Sequence, residues 1–376
     1  MNSTTLENIQ ILPALPSVQD EDPEGIDNTP SLDQWSNYPL DDILVRQETR
    51  TVVDIVRRIN SQRFIMDPDF QRDFIWSPDK QSLLIESALM RIPLPVFYLA
   101  ETSDGRNIVV DGLQRFTTFQ HYLANEFPLR NLEKQDLNGK RFSDLSAKHQ
   151  NRLEDTSLIL YLIDSKVPEQ VKLDIFERVN GGVPLSRQQM RNCIHVGPAT
   201  RWLKAEAKSQ EFLLATGGSI NTKQMRDREV INRFCGFKIL GLAAYQGDMD
   251  KFLADTLNKM NTLTERELEA LSADFRHSML NNYHLFGEHA FRKHMGPDER
   301  RSVINVSLFD VFSTLLVTPS SEAIKDHEGA IQYGFYNLMQ LEKIQAAITL
   351  GTNQVNRVRD RFALVQDMLT RALTND

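Results

Sequence analysis

Ile108-Val109-Val110-Asp111-Gly112-Leu113-Gln114-Arg115-Phe116-Thr117-Thr118 is the stretch from which the rest of the chain is best read. Three consecutive β-branched residues predict a buried strand. Gly112 follows at once, and Phe116, Phe119, Tyr122 and Leu123 then line one face of a helix. A helix start leaves backbone N–H groups without intrahelical partners, which favours an anion, and a glycine there lets a ligand approach the backbone closely. Arg115 adds a permanent cation whose donor fork suits phosphate. Asp111 suits three roles: metal ligand, helix cap or proton acceptor. A plain capped helix with an arginine paired to a nearby carboxylate accounts for the same residues.

Working outward, Val96-Phe97-Tyr98-Leu99 predicts a strand joined to Ile108-Val110 by a turn at Ser103-Asp104-Gly105. Ser77-Pro78-Asp79 opens a helix with a hydroxyl cap, proline at its first position and an acid in its first turn. Upstream, Ile43-Leu44-Val45 predicts a short strand, and Val52, Ile55, Val56 and Ile59 recur at helical spacing. Leu158 to Ile163 is a further buried strand. After Pro168 helical patterns dominate, including Ile231 onward and Phe309 to Leu316. An α/β half therefore spans 41–165 and a mostly helical half spans 166–376.

Residues 1–40 mix Pro, Ser, Asn and acids without sustained periodicity, so they are expected to form a disordered tail. The formal net charge is −8, yet nine acids and no lysine or arginine precede Arg46. The remaining chain is close to neutral, so the acidic balance excludes no nucleic-acid partner. Two cysteines, Cys193 and Cys235, cannot build a disulfide framework, and no apolar run approaches the ~20 residues of a membrane span. No secretory signal is visible at the start. These features predict a cytoplasmic setting without membrane partners.

Two further clusters stand out. Asp67 to Trp76 sets Gln71-Arg72 among Phe70, Phe74 and Trp76, aromatics that also serve as core anchors. Phe176 to Ser186 carries Glu177 on a helix that ends in Asn180-Gly181-Gly182, and Ser186 starts the next helix. Alone, that cluster is also an ordinary helix–turn–helix connection.

Together the three clusters resemble the N-terminal domain family of GmrSD-type restriction endonucleases. The matching residues are Phe70-Gln71-Arg72 with Trp76, Val110 to Arg115 with Thr117-Thr118, and Phe176 to Gly182 with Leu185 and Arg191-Asn192. Asp227-Arg228-Glu229 is similar to part of that family's helical region. The family looks like a relative of the ParB/sulfiredoxin superfamily. The resemblance implies an α+β fold, a ParB/sulfiredoxin-like α/β core followed by a mostly α-helical domain, acting in defence against phage or modified foreign DNA. It also implies a nucleoside triphosphate and Mg²⁺. On that reading Gln71, Arg72, Gly112, Gln114, Arg115, Thr117 and Asn180 bind the nucleotide. Asp111 and Glu177 hold the metal, and Asp111, Gln114, Arg115 and Glu177 carry hydrolysis. The family's motif usually reads Asp-Gly-Gln-Gln-Arg, and Leu113 stands at the first Gln, which puts turnover in more doubt than binding.

Many family members also carry an HNH-type nuclease half. His277, His284, His289 and His294 do not follow a His-Glu-x-x-His or zinc spacing and read as surface or core side chains. DNA cleavage would then come from the core or from a partner, and a separately encoded nuclease or modification enzyme is the candidate partner. A non-catalytic sensor that recruits such a nuclease and a core that cuts DNA directly are the alternatives. For DNA contact the candidates are Arg187, Arg191, Arg226 and Arg228. Interspersed acids, Glu206, Glu211, Asp227 and Glu229, equally suit an ordinary mixed surface.

Overall fold

In the computed structural model, residues 21–26, 45–66, 76–102, 104–167, 171–173, 175 and 186–374 are described. Two compact units divide the chain. One comprises 28–200 with 223–225, and the other comprises 1–27, 201–222 and 226–376. Sequence periodicity drew the boundary near Ser165, where the strands end; packing groups the segment up to Thr200 with the strands.

The first unit is built on a five-stranded mixed sheet of β1 (Val45–Thr51), β2 (Phe64–Ile65), β3 (Phe97–Glu101), β4 (Asn107–Asp111) and β5 (Ser157–Ile163), in the order β1-β5-β3-β4-β2. β3 runs parallel to β5 and antiparallel to β4, so Asp111 at the end of β4 sits opposite Tyr98 at the start of β3. Side chains alternate across a strand. Leu158, Leu160 and Leu162 therefore share one face with Phe97, Leu99 and Val109. That face packs on α1 (Val52–Asn60), α2 (Pro78–Leu89), α3 (Leu113–Leu123) and α4 (Ala147–Glu154) through Ile55, Ile85, Phe116, Phe119 and Leu153. Each such Leu, Ile or Phe contributes ~1.5–3 kcal/mol relative to an exposed one. The opposite face, with Ala100, Val110 and Ile163, is covered by Val167, Val171, Leu173 and Met190.

Helix starts follow the expected chemistry: Ser77 caps α2 with Pro78 at its first position, and Ser146 caps α4. The edge strand β1 carries Arg46, Glu48 and Arg50, ion-paired with one another and with Glu101 and Asp54. Charges on an edge contribute little stability but discourage pairing with another chain.

The second unit is helical. Phe275 of the helix Glu265–Phe286 gathers Phe212 at 5.9 Å and Phe234 at 5.0 Å between ring centres. Deep inside it, Arg233 makes a two-pronged contact with Asp310 at 2.7 and 2.6 Å, and Arg361 meets the same carboxylate at 2.7 Å. Removing one partner of such a buried group leaves an uncompensated charge, which is why these three residues act as one structural post.

One part of the expected disordered tail is ordered. Residues 21–26 lie along this unit: the Glu21 and Glu24 amides donate to Ser219 and Ile304 carbonyls, and Pro23 is buried. Their carboxylates pair with Arg292 at 3.2 Å and Lys293 at 2.7 Å. Charge complementarity to two basic residues holds a segment that has no hydrophobic pattern of its own. The other residues of the expected tail, and Ile43-Leu44, lie outside the described residues. Among the described residues no helix is long and apolar enough to cross a membrane.

Candidate functional site

β4 is buried through Ile108, Val109 and Val110 and delivers the chain to Asp111 at the edge of the hydrophobic layer. Gly112 then turns at φ +105°, in the left-handed region that only glycine enters cheaply, and caps α3 without a side-chain hydrogen bond. A Cβ at this position would lie 2.3 Å from Cδ1 of Phe97. Phe97 stacks on Phe116 with ring centres 4.3 Å apart and planes within 3°. The glycine is therefore demanded twice, by its dihedral and by the ring beneath it. The helix ladder starts with the Phe116 N–H donating to the Gly112 carbonyl at 2.9 Å. The Leu113, Gln114 and Arg115 amides stand ahead of that first rung, where a helix offers donors and positive potential.

Arg115 turns inward. It is 8% exposed, its Cζ lies 4.1 Å over the Phe97 ring, and its Nη1 donates to the Pro95 carbonyl. Nη2 donates to the Val96 carbonyl at 3.0 Å and to Oδ2 of Asp111 at 2.7 Å. The fork that suits phosphate is thus spent largely on the entrance to β3 and on orienting Asp111. Burial pushes the Asp111 carboxyl up against the opposing pull of the Arg115 charge, and burial pushes the Arg115 guanidinium down. Both shifts have the sign of an ion pair whose mutual attraction does not fully repay desolvation. The Asp111 side chain remains about one-third exposed, so it can still meet a ligand.

Gln114 reaches sideways, its Oε1 accepting from the Trp76 N–H at 3.4 Å, while the Trp76 carbonyl accepts from Gln81. That contact ties the end of the first sequence cluster to the strand–helix junction. Thr117 lies half-buried on α3. Gln71, Arg72, Glu177 and Asn180 lie outside the described residues. Among the described residues no three His, Cys, Asp or Glu side chains gather as a metal site. His289 and His294 are buried and stack at 4.8 Å, as core histidines do.

Of the four arginines expected to contact DNA, two are enclosed. Arg191 is fully buried, with its Nε donating to Gln188 at 3.0 Å, and Arg226 is buried against Glu229 at 3.0 Å. Buried guanidiniums pay a desolvation cost that only internal partners offset, so neither belongs to a solvent-facing phosphate stripe. Arg187 and Arg228 are half-buried.

Next to Arg226, Asp227 is 7% exposed, and its Oδ1 has no hydrogen-bond partner among the described residues. Burial raises its pKa to about 6, against smaller lowering effects from Arg228. A carboxyl raised in the folded state stabilises the fold fully below its unfolded pKa, and that stability is lost as pH rises through about 6. Asp227→Asn should therefore raise the melting temperature at pH ~8 by the equivalent of ~3 kcal/mol and leave it unchanged or lower near pH ~4. Melting curves at the two pH values check this; an effect equal at both would contradict it.

Phe97 was not among the residues expected from sequence, though it forces Gly112 and seats Arg115. Its only local signal is membership of an apolar strand. Compared with known families, residues 52–196 match the family described as GmrSD restriction endonuclease, N-terminal domain. No curated protein matches the chain significantly.

Proposed function

Because residues 52–196 match the family described as GmrSD restriction endonuclease, N-terminal domain, we propose that the chain is a nucleotide-dependent component of DNA restriction in phage defence. The first unit, on this reading a ParB/sulfiredoxin-like core, takes a nucleoside triphosphate at the Asp111–Gly112–α3 junction. The observation that carries the reading is Gly112 itself, held at φ +105° on the Phe97 ring ahead of three helix-start amides. Phosphate oxygens accept from the Leu113, Gln114 and Arg115 N–H groups. Arg115 acts as a positioning residue that holds the Asp111 carboxylate and the β3 entrance in register. Gln71, Arg72 and Asn180 complete the phosphate contacts, and DNA and a separately encoded nuclease are the partners.

Mg²⁺ suits this carboxylate. It binds through one or two carboxylates together with phosphate oxygens and water, and Asp111 keeps exposed surface with only Oδ2 engaged by Arg115. Asp111 and Glu177 would hold it. When bound, the ion neutralises phosphate charge during transfer to water.

A second reading, a sensor that binds nucleotide without turning it over, is favoured by Leu113. Its side chain is 7% exposed and packs in the core below the sheet, so it adds no side-chain donor where the family's motif has Gln.

Melting curves with ATP, GTP, CTP and UTP in Mg²⁺ test the proposal. One nucleotide at a hundred times its Kd should stabilise the unit by ~2.7 kcal/mol. Asp111→Asn should still show the shift but lose phosphate release if the protein hydrolyses the nucleotide, whereas wild-type protein that binds and releases no phosphate is the sensor. Absence of a shift with every nucleotide at millimolar concentration would reject the site.

A further inference from the structure

At the start of β3 and β5, in the first unit, lies a cavity of about 590 Å³ that shares no residue with the Asp111 junction. Its lining includes Arg91, Lys148, Asn151, Arg152, Asp155 and Ser157, so three cations face one carboxylate. Lys148, Asn151, Arg152 and Asp155 stand at i, i+3, i+4 and i+7 of α4 and the residue after it, which places them on one face. The only buried residue of α4 is Leu153, so this polar face is not an accident of core packing. Neither Arg91 nor Lys148 is paired with a carboxylate among the described residues.

The position of Arg91 is the more telling. It ends α2 at φ +61°, with its N–H donating to Ala88 and the Ile92 N–H donating to Ser87. This is the closing turn in which glycine is the favoured residue because other side chains clash with their own backbone. An arginine kept there against that preference projects a permanent charge at the cavity. Across from it, Arg152 Nη1 donates to the Leu89 carbonyl at 3.1 Å and pins the guanidinium, while its Nε is buried without a hydrogen-bond partner. The pinned Arg152 guanidinium, two cations without a carboxylate partner, the Asn151 amide and the Ser157 hydroxyl share this lining with the single carboxylate of Asp155, so cations outnumber it.

We propose that this cavity binds a phosphate group, which is distinct from the nucleotide seat at Gly112. The phosphate belongs either to a nucleic-acid backbone or to a free anion, and both present the same oxygens to Arg91, Lys148 and Arg152. The site extends the restriction reading but does not depend on it, since its residues and its probes are separate.

The test compares wild type with an Arg91→Gly/Lys148→Ala double variant. Glycine suits the φ at position 91 and Lys148 is exposed, so the variant folds, and equal melting temperatures confirm that. Arg152→Gln is a second variant that removes the fork. Binding of a short fluorescent duplex DNA is measured by anisotropy over a salt series, and binding of inorganic phosphate by calorimetry. The duplex should bind the double variant about tenfold more weakly at low salt, with the slope of log K against log salt smaller by about 2. Loss of inorganic phosphate binding with duplex binding unchanged would assign the site to a free anion. Equal affinities of wild type and both variants for both probes, or no binding of either probe by wild type, would overturn the proposal.

Discussion

Arg115→Ala is expected to destabilise the sheet-containing unit by ~3–5 kcal/mol, the range for removing one partner of a buried ion pair. Three acceptors lose their donors together: the Pro95 and Val96 carbonyls and Oδ2 of Asp111. The Asp111 carboxyl, already pushed up by burial, loses the charge that holds it down. The face of Phe97 loses a cation seated 4.1 Å above its centre. Arg115→Lys should recover only part of this, because one ammonium cannot span two carbonyls and a carboxylate with the same planar fork. Urea unfolding of the two variants against wild type measures it. An alanine variant within ~0.5 kcal/mol of wild type, the range of an ordinary surface change, would show that the inward arginine is not a structural tie.

Gly112→Ala is the second large effect, at about 3 kcal/mol. One part is the left-handed dihedral, ~1–2 kcal/mol for a residue with a Cβ. The other is overpacking, ~1–3 kcal/mol, because the new methyl would sit 2.3 Å from a Phe97 ring that cannot retreat. Phe97 is closed in by its parallel stack on Phe116 and by Arg115. The two causes separate in a cycle. In a Phe97→Leu background the same Gly112→Ala change should cost less, since the smaller side chain yields, while the dihedral part persists. Equal costs in both backgrounds would remove the ring from the explanation.

Much of the first unit was legible because its elements obey local rules. Leu158 to Ile163 is a short continuous apolar run, as a buried strand is, Val52, Ile55, Val56 and Ile59 mark α1, and Ser77-Pro78 marks the start of α2. Two strands were not legible in the same way. β2 is two residues long, too short for a pattern, and β1 is written in Arg, Gln, Glu and Thr because an edge strand needs charge more than apolar alternation. The α+β class and the helical C-terminal region were legible from where strand patterns stop. The ordered stretch 21–26 was not, since Glu21 and Glu24 are fixed by Arg292 and Lys293, basic residues about 270 positions away.

The site divides the same way. Asp111-Gly112 at a strand end follows from the local pattern, whereas the contact of Gln114 with the Trp76 N–H, 38 residues away in sequence, does not. The inward turn of Arg115 follows from carbonyls 19 and 20 residues earlier, which no pattern around the motif announces. The burial of Arg191 and Arg226 was hidden for a related reason. An arginine reads as surface until the core that encloses it is known.

The most direct test of nucleotide binding at the junction is an amide NMR titration of the protein with each nucleoside triphosphate and Mg²⁺. The N–H resonances of Gly112, Leu113, Gln114 and Arg115 should show the largest shifts with the nucleotide that binds, and saturate together. Saturating binding that leaves these four resonances in place while others move would contradict the central claim.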